Sequence, residues 1–89
     1  MSFSVTDKAA EVLHITLDNI EKEPRQVLRL IADRGGLSIT LDEKHDDDQV
    51  VEHDGQPVMV VEPMIQEELS GQTLDFDETP EGGRLTLRA

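Results

Sequence analysis

The hydrophobic period of this chain changes at Pro24, and that change decides which class of fold is open to it. Upstream, Ala10, Leu13, Leu17 and Ile20 recur at spacings of 3, 4 and 3, which gathers them on one face of a helix. Ser4 and Thr6, with Asp7, are candidates for the side-chain oxygen that caps a helix start. The pattern predicts a short strand at Phe3 to Val5 and a helix from Asp7 to Lys22. Pro24 closes that helix, because proline disfavours helical geometry in the residue before it. Downstream the period is two. In RQVLRLIAD, Leu28, Leu30 and Ala32 fall on one face and Val27, Arg29 and Ile31 on the other. Past Gly35 and Gly36, Leu37, Ile39 and Leu41 alternate with Ser38, Thr40 and Asp42, the signature of a half-buried strand.

The rest of the chain continues in short strands. Asp54 and Gly55 supply the positive backbone angles of a tight turn between two apolar runs, which predicts a hairpin. Pro63 suits the first turn of a helix, Ile65 and Leu69 lie four apart, and Gly71 can end it. A closing hairpin puts Leu74 and Phe76 against Leu85 and Leu87, with Gly82 and Gly83 in the connection. Its other face sets Asp75 and Asp77 against Arg84 and Arg88 as cross-strand ion pairs. The expected architecture is one β-rich α+β domain over residues 1–89, a distorted sandwich with one long and one short helix.

Charge and composition narrow the function. Acidic residues outnumber basic ones by 20 to 8, for a net charge of −12. The excess is uneven: residues 41–83 hold 14 acids and only Lys44 as a base. Such a field repels phosphate backbones and anionic lipid, and with two phenylalanines as the sole aromatics there is little on which bases could stack. Nucleic acid and membrane are therefore not expected partners, whereas a protein with a basic surface is. No stretch approaches the ~20 apolar residues that span a bilayer, and no secretory signal opens the sequence, so a soluble cytoplasmic protein is expected. With no cysteine, disulfides and thiol nucleophiles are excluded. The serines come without a nucleophile elbow, and no enzyme activity is expected.

Four stretches, FSVTDKAAEVL, VLRLIADRGGLS, DDDQVVEHDGQPVMVVEP and LSGQTLDFDETPEGGRLTL, resemble in order and spacing the HesB/IscA-like domain of A-type iron-sulfur cluster carriers, and together they cover nearly the whole chain. The resemblance implies the β-rich α+β fold of that family, association into dimers or tetramers, and a link to cluster assembly. The family's signature is a glycine-cysteine-serine-glycine stretch with a cysteine-glycine-cysteine tail. Here Gly36, Leu37, Ser38 and Ile39 stand in the first, and the sequence stops at Ala89, where the tail would follow. The expectation is a degenerate ligand loop, Gly35, Gly36, Leu37 and Ser38, with Leu37 filling space and no cofactor bound, since iron-sulfur clusters are held chiefly by cysteine sulfur.

Two constellations carry alternatives. His45, Asp46, Asp47, Asp48, His53 and Asp54 read as a solvated, flexible acidic loop running into a turn. The other reading makes them weak ligands for a hard cation or for zinc, nickel or manganese, although the calcium-loop pattern is absent. A cation-binding protein is thus the alternative to a protein-binding one. Gly35-Gly36 reads as a bulge or tight approach before a strand, with a backbone anion nest as its alternative. His14 reads as a partly buried packing residue.

Overall fold

The computed structural model describes residues 3–89. Its elements run β1 (Ser4–Val5), α1 (Asp7–Asp18), β2 (Gln26–Asp33), β3 (Gly36–Glu43), β4 (Gln49–His53), β5 (Gln56–Val61), α2 (Pro63–Glu68), β6 (Thr73–Thr79) and β7 (Gly82–Arg88). They form two sheets, β1-β6-β7 and β3-β2-β5-β4. The mixed α+β architecture expected from the change of period is thus present.

Of the candidate caps, Thr6 takes the role: its side-chain oxygen accepts the Ala9 N–H at 3.1 Å, satisfying one of the donors a helix start leaves unpaired. The helix ends at Asp18 rather than Lys22, well before the proline is reached. Asn19 is the reason. Its Nδ2 donates to the Ile15 carbonyl at 2.8 Å and its own N–H turns back to Thr16, so the last carbonyls are satisfied without another turn. The stripe also runs out of anything to bury, because Ile20, expected on the packed face, is 38% exposed.

Leu13 and Leu17 of α1 meet Leu28 and Leu30 of β2, Val58, Met59 and Val61 of β5, Ile65, Leu69 and Leu74 in one core cluster. The β2–β3 register sets Leu28 across from Leu41, Leu30 from Ile39 and Ala32 from Leu37. One face of the four-stranded sheet is therefore apolar and packs on this core. The other face carries Val27 and Arg29 with Val60, which pairs with Arg29 and also with Val50 of β4.

The Asp54-Gly55 turn forms as predicted, with both residues at positive φ (53° and 78°). In the closing hairpin the turn is Pro80-Glu81, and Gly82 and Gly83, expected in the connection, instead pair inside β7 with Thr79 and Glu78. Gly83 is there for room: a Cβ at that position would run into the Phe76 ring. Arg88 bridges both carboxylates of the facing strand, Asp75 and Asp77, each at 2.8 Å. Arg84, directly opposite Asp77, forms no ion pair among the described residues. No helix among the described residues is long and apolar enough to cross a membrane.

Candidate functional site

The glycine pair that marks the family's ligand loop sits in a hairpin. Arg34 and Gly35 make a two-residue turn, and Gly36 opens β3 opposite Asp33. Gly36 has φ 109°, a conformation that side chains with a Cβ rarely adopt, and nothing lies within 4 Å of where that Cβ would stand. Backbone angle, not crowding, therefore demands glycine there. The Gly35 N–H donates to Asp33 Oδ1 at 2.8 Å. A carboxylate of the chain itself thus holds the donor that an anion nest would offer, and what stands at Gly35-Gly36 is a two-residue hairpin turn in unbroken register rather than the expected bulge or tight approach.

Leu37 follows on the core side of β3, facing Ala32, half-buried against the margin of the core cluster. Ser38 lies exposed on the opposite face. An iron-sulfur cluster does not fit these residues: position 37 presents methyl groups, and sulfur is otherwise confined to methionine thioethers. Met59 is fully buried in the core and Met64 stands exposed on α2, so neither is grouped with the hairpin as a donor set would need.

The acidic loop is not solvated throughout, as its composition suggests: His45, Asp46 and Asp47 stand exposed, but Asp48 is buried. Arg29, on the non-core face of β2, is 6% exposed and organises it. Its Nη1 and Nη2 donate to the two oxygens of Asp48 at 3.0 and 2.7 Å. Nε donates to Asp42 Oδ2 at 2.8 Å, and Nη2 also reaches the Glu43 carbonyl at 3.1 Å. The His45 N–H closes the loop onto Asp48 Oδ2 at 2.7 Å. Asp48, offered as a solvated residue and a candidate cation ligand, has a fully buried side chain whose oxygens are already taken. Its carboxyl is held below the usual carboxylate range by the Arg29 hydrogen bonds against the opposing cost of burial. Asp42 is likewise lowered, first by the Glu43 N–H and then by Arg29. Arg29 is raised above its ordinary value, chiefly by Asp48.

The remaining candidates are dispersed. Asp46 and Asp47 point to solvent at the loop tip. His53 ends β4 and turns toward α1, where its Nδ1 lies 2.8 Å from the Nδ1 of His14. The ring centroids are 5.1 Å apart, close to the most that this gap and the two ring radii allow, so the nitrogens face one another head-on. This is an N–H···N hydrogen bond, one ring donating and the other accepting, with no room for an ion between. Asp18 lies 3.5 Å from His14 Nε2 and Asp54 3.7 Å from His53 Nδ1. His14 is therefore a polar clasp between α1 and β4 as well as a packing residue. Spacing gave no sign of it, since the partners are 39 residues apart. Among the described residues, no group of three or more His, Asp or Glu is placed to hold a metal ion. The cation reading of residues 45–54 is corrected accordingly: Asp48 belongs to Arg29, His53 to His14, and the two sets do not converge.

Sequence reasoning did not foresee a cleft of about 500 Å³ on the non-core face of the four-stranded sheet. Its lining joins the apolar Val27, Val50, Pro57 and Val60 to the charged Arg25, Glu43, Lys44 and Glu52.

No protein-family model matches the chain. Individual proteins do. An iron-sulfur cluster insertion protein, ErpA, of Pseudomonas aeruginosa is 39% identical over 79 residues, covering 82% of this chain and 67% of that one. The protein of the same name from Aeromonas hydrophila is 37% identical over 93 aligned residues, covering 98% and 78%. The crystal structure of Escherichia coli SufA, involved in biosynthesis of iron-sulfur clusters, superposes with a TM-score of 0.74 at 21% identity, over 99% of this chain and 85% of that one; the last likeness speaks for the fold.

Proposed function

The chain belongs to the HesB/IscA-like family of A-type iron-sulfur cluster carriers, and from that membership we propose that it is a non-catalytic member that holds no cluster on these side chains. In this reading it acts in the cytoplasm by binding another protein of cluster assembly through its acidic surface. The observation that carries the reading is Leu37, which stands where the family's first cysteine belongs and packs on Ala32 and the core margin. A leucine so placed supports a site given over to packing, and the 89 residues contain no thiolate to take its place. What the chain retains is its fold and a net charge of −12. A surface of that sign speeds encounter with a basic partner and disfavours acidic ones.

The test has two arms. Anaerobic incubation with iron and sulfide, followed by desalting, is expected to leave the protein colourless; retention of stoichiometric sulfide would refute the cluster-free reading. In the second arm the immobilised protein is challenged with cluster-assembly proteins at low and then moderate salt. A basic partner is expected to be retained at low salt and released steeply as salt rises, because screening shortens the reach of the field. Retention that ignores salt would count against an electrostatic interface.

A further inference from the structure

The cleft on the non-core face of the four-stranded sheet is graded in charge. Gln26 pairs with Glu43, so one step beyond the β2–β3 ladder Arg25 comes opposite Lys44, and both line the cleft. Like charges directly opposed are unfavourable in a sheet. Neither is neutralised: among the described residues neither side chain forms an ion pair, and Lys44 Nζ donates only to the neighbouring His45 carbonyl, at 3.2 Å. Glu43 is close by, but alternation along β3 turns its side chain from the face that Asp42 and Lys44 share.

The strand order β3-β2-β5-β4 lays out the rest. Val27 lies on β2, Pro57 and Val60 on β5, and Val50 and Glu52 on the outer strand β4. The lining therefore runs from two bases, through an apolar middle, to an acid. Adjacent strands lie about 4.8 Å apart, which separates the Arg25 side from the Glu52 side by about 10 Å. The wall that carries Lys44 is also fixed. Lys44 lies between Glu43, whose carbonyl accepts from Arg29, and His45, whose N–H donates to Asp48. The buried Arg29–Asp48 pair thus holds the backbone on both sides of it, and a site set in advance gives up less freedom on binding.

We propose that this cleft binds a small zwitterion with an apolar body, its carboxylate between Arg25 and Lys44, its middle on Val27, Val50 and Val60, and its ammonium toward Glu52. A free tripeptide of apolar residues has that form. Extended, its two ends lie about 10 Å apart, the separation of the bases from the acid, and a cleft of about 500 Å³ is within the range of small-molecule sites. The guanidinium fork of Arg25 suits a carboxylate. Net charge selects the zwitterion over a simple anion. A molecule of net charge −12 repels a free anion, whereas a zwitterion brings no net charge, and the lining itself sets two bases against two acids.

Amide shifts of the natural chain titrated with trivaline, and with its N-acetylated and C-amidated forms, test the site. Saturable shifts confined to the lining strands are expected, with a Kd at or below about 1 mM. Blocking either end should weaken binding about threefold to fivefold, the scale of one exposed charge pair. Arg25→Gln should weaken trivaline by a similar factor and leave the amidated form unchanged; Glu52→Gln should do the same with respect to the acetylated form. Both residues are exposed, and the blocked peptides decide the charge assignment on the natural chain whatever the variants do. No saturation by roughly 10 mM trivaline overturns the proposal, as do shifts centred elsewhere. Equal affinity for the acetylated form also overturns it, since a carboxylate alone would then be read, as at the end of a protein chain. Salt-sensitive capture of a basic protein by a chain that ignores trivaline would sink the cleft and leave the proposed function standing; trivaline binding with no such capture would do the reverse.

Discussion

Arg29 and Arg88 do the same chemistry in different solvents. Each lies on a β-strand and grips two aspartates at 2.7 to 2.8 Å. The Arg29 side chain is 8% exposed and its partner Asp48 is fully buried, whereas Arg88 is 57% exposed at the end of the edge strand β7. The partners also differ in origin. Those of Arg88 sit on β6, already held beside it by the hairpin register. Those of Arg29 lie 13 and 19 residues away, on β3 and in the loop that follows. Arg29 therefore shapes the chain between β3 and β4, while Arg88 decorates a structure that stands without it. Burial, not the number of ion pairs, decides which arginine matters to the fold.

The largest effect expected from this contrast comes from breaking the buried pair. Arg29→Ala leaves the Asp48 carboxylate enclosed and unmatched, and removing one member of a buried pair typically costs about 3–5 kcal/mol. Urea unfolding should show a loss of that size, a substantial part of the ~5–15 kcal/mol that holds a small domain together. Replacing both partners with apolar residues, Arg29→Met with Asp48→Leu, is expected to recover only part of it. The Glu43 carbonyl and His45 N–H would still lose the hydrogen bonds that close the loop and tie it to β2, each worth roughly 1 kcal/mol. Full recovery would mean that the loop needs no anchor.

Acid should reveal the buried pair next. The folded Asp48 carboxyl lies below its ordinary range because Arg29 holds its charged form. As pH falls, the unfolded chain takes up a proton first. The stabilisation is complete above the ordinary carboxylate value of ~3.9 and is lost as pH drops through it toward the folded value. Arg29 remains charged throughout that window and adds no slope. Unfolding midpoints measured between about pH 6 and pH 2 should therefore decline less steeply in Asp48→Asn than in the natural chain. High salt should change the difference little, since a buried pair is poorly screened. An unchanged slope would show that other carboxylates govern acid unfolding.

What could be read in advance follows the same division. The Arg88 pairing was legible, because period-two alternation and hairpin register together place Asp75, Asp77, Arg84 and Arg88 on one face. What register could not say is that Arg88 would take both carboxylates and Arg84 neither. The leucine at the cysteine position was legible too, being a matter of residue identity at a known place in a pattern. Arg29 was not. Alternation put it on the non-core face of β2, where a charge is normally solvated, and nothing local announces that Asp48 folds back beneath it. The His14–His53 contact was hidden for the same reason, as it depends on how α1 lies on β4. The early end of α1 depended on the Asn19 side chain competing for carbonyls, which an apolar stripe does not register.

The smallest expected effect tests the exposed end of the comparison. Asp75 also has a lowered carboxyl, but the Phe76 N–H is the first cause and the Thr6 hydroxyl the second, with Arg88 third. Phe76 donates to Asp75 Oδ1 at 2.8 Å and Thr6 to the same oxygen at 2.9 Å, and Thr6 is also the cap of α1. Arg88→Ala should consequently leave Asp75 well anchored. The expected outcome is a fall in Tm of about 3 °C or less, in keeping with an exposed pair that solvent screens. That fall should shrink further in high salt, and the acid slope should be close to that of the natural chain. A salt-resistant fall as large as that of Arg29→Ala would mean that the edge strand depends on its charges as the loop does. Burial would then not be what separates the two arginines.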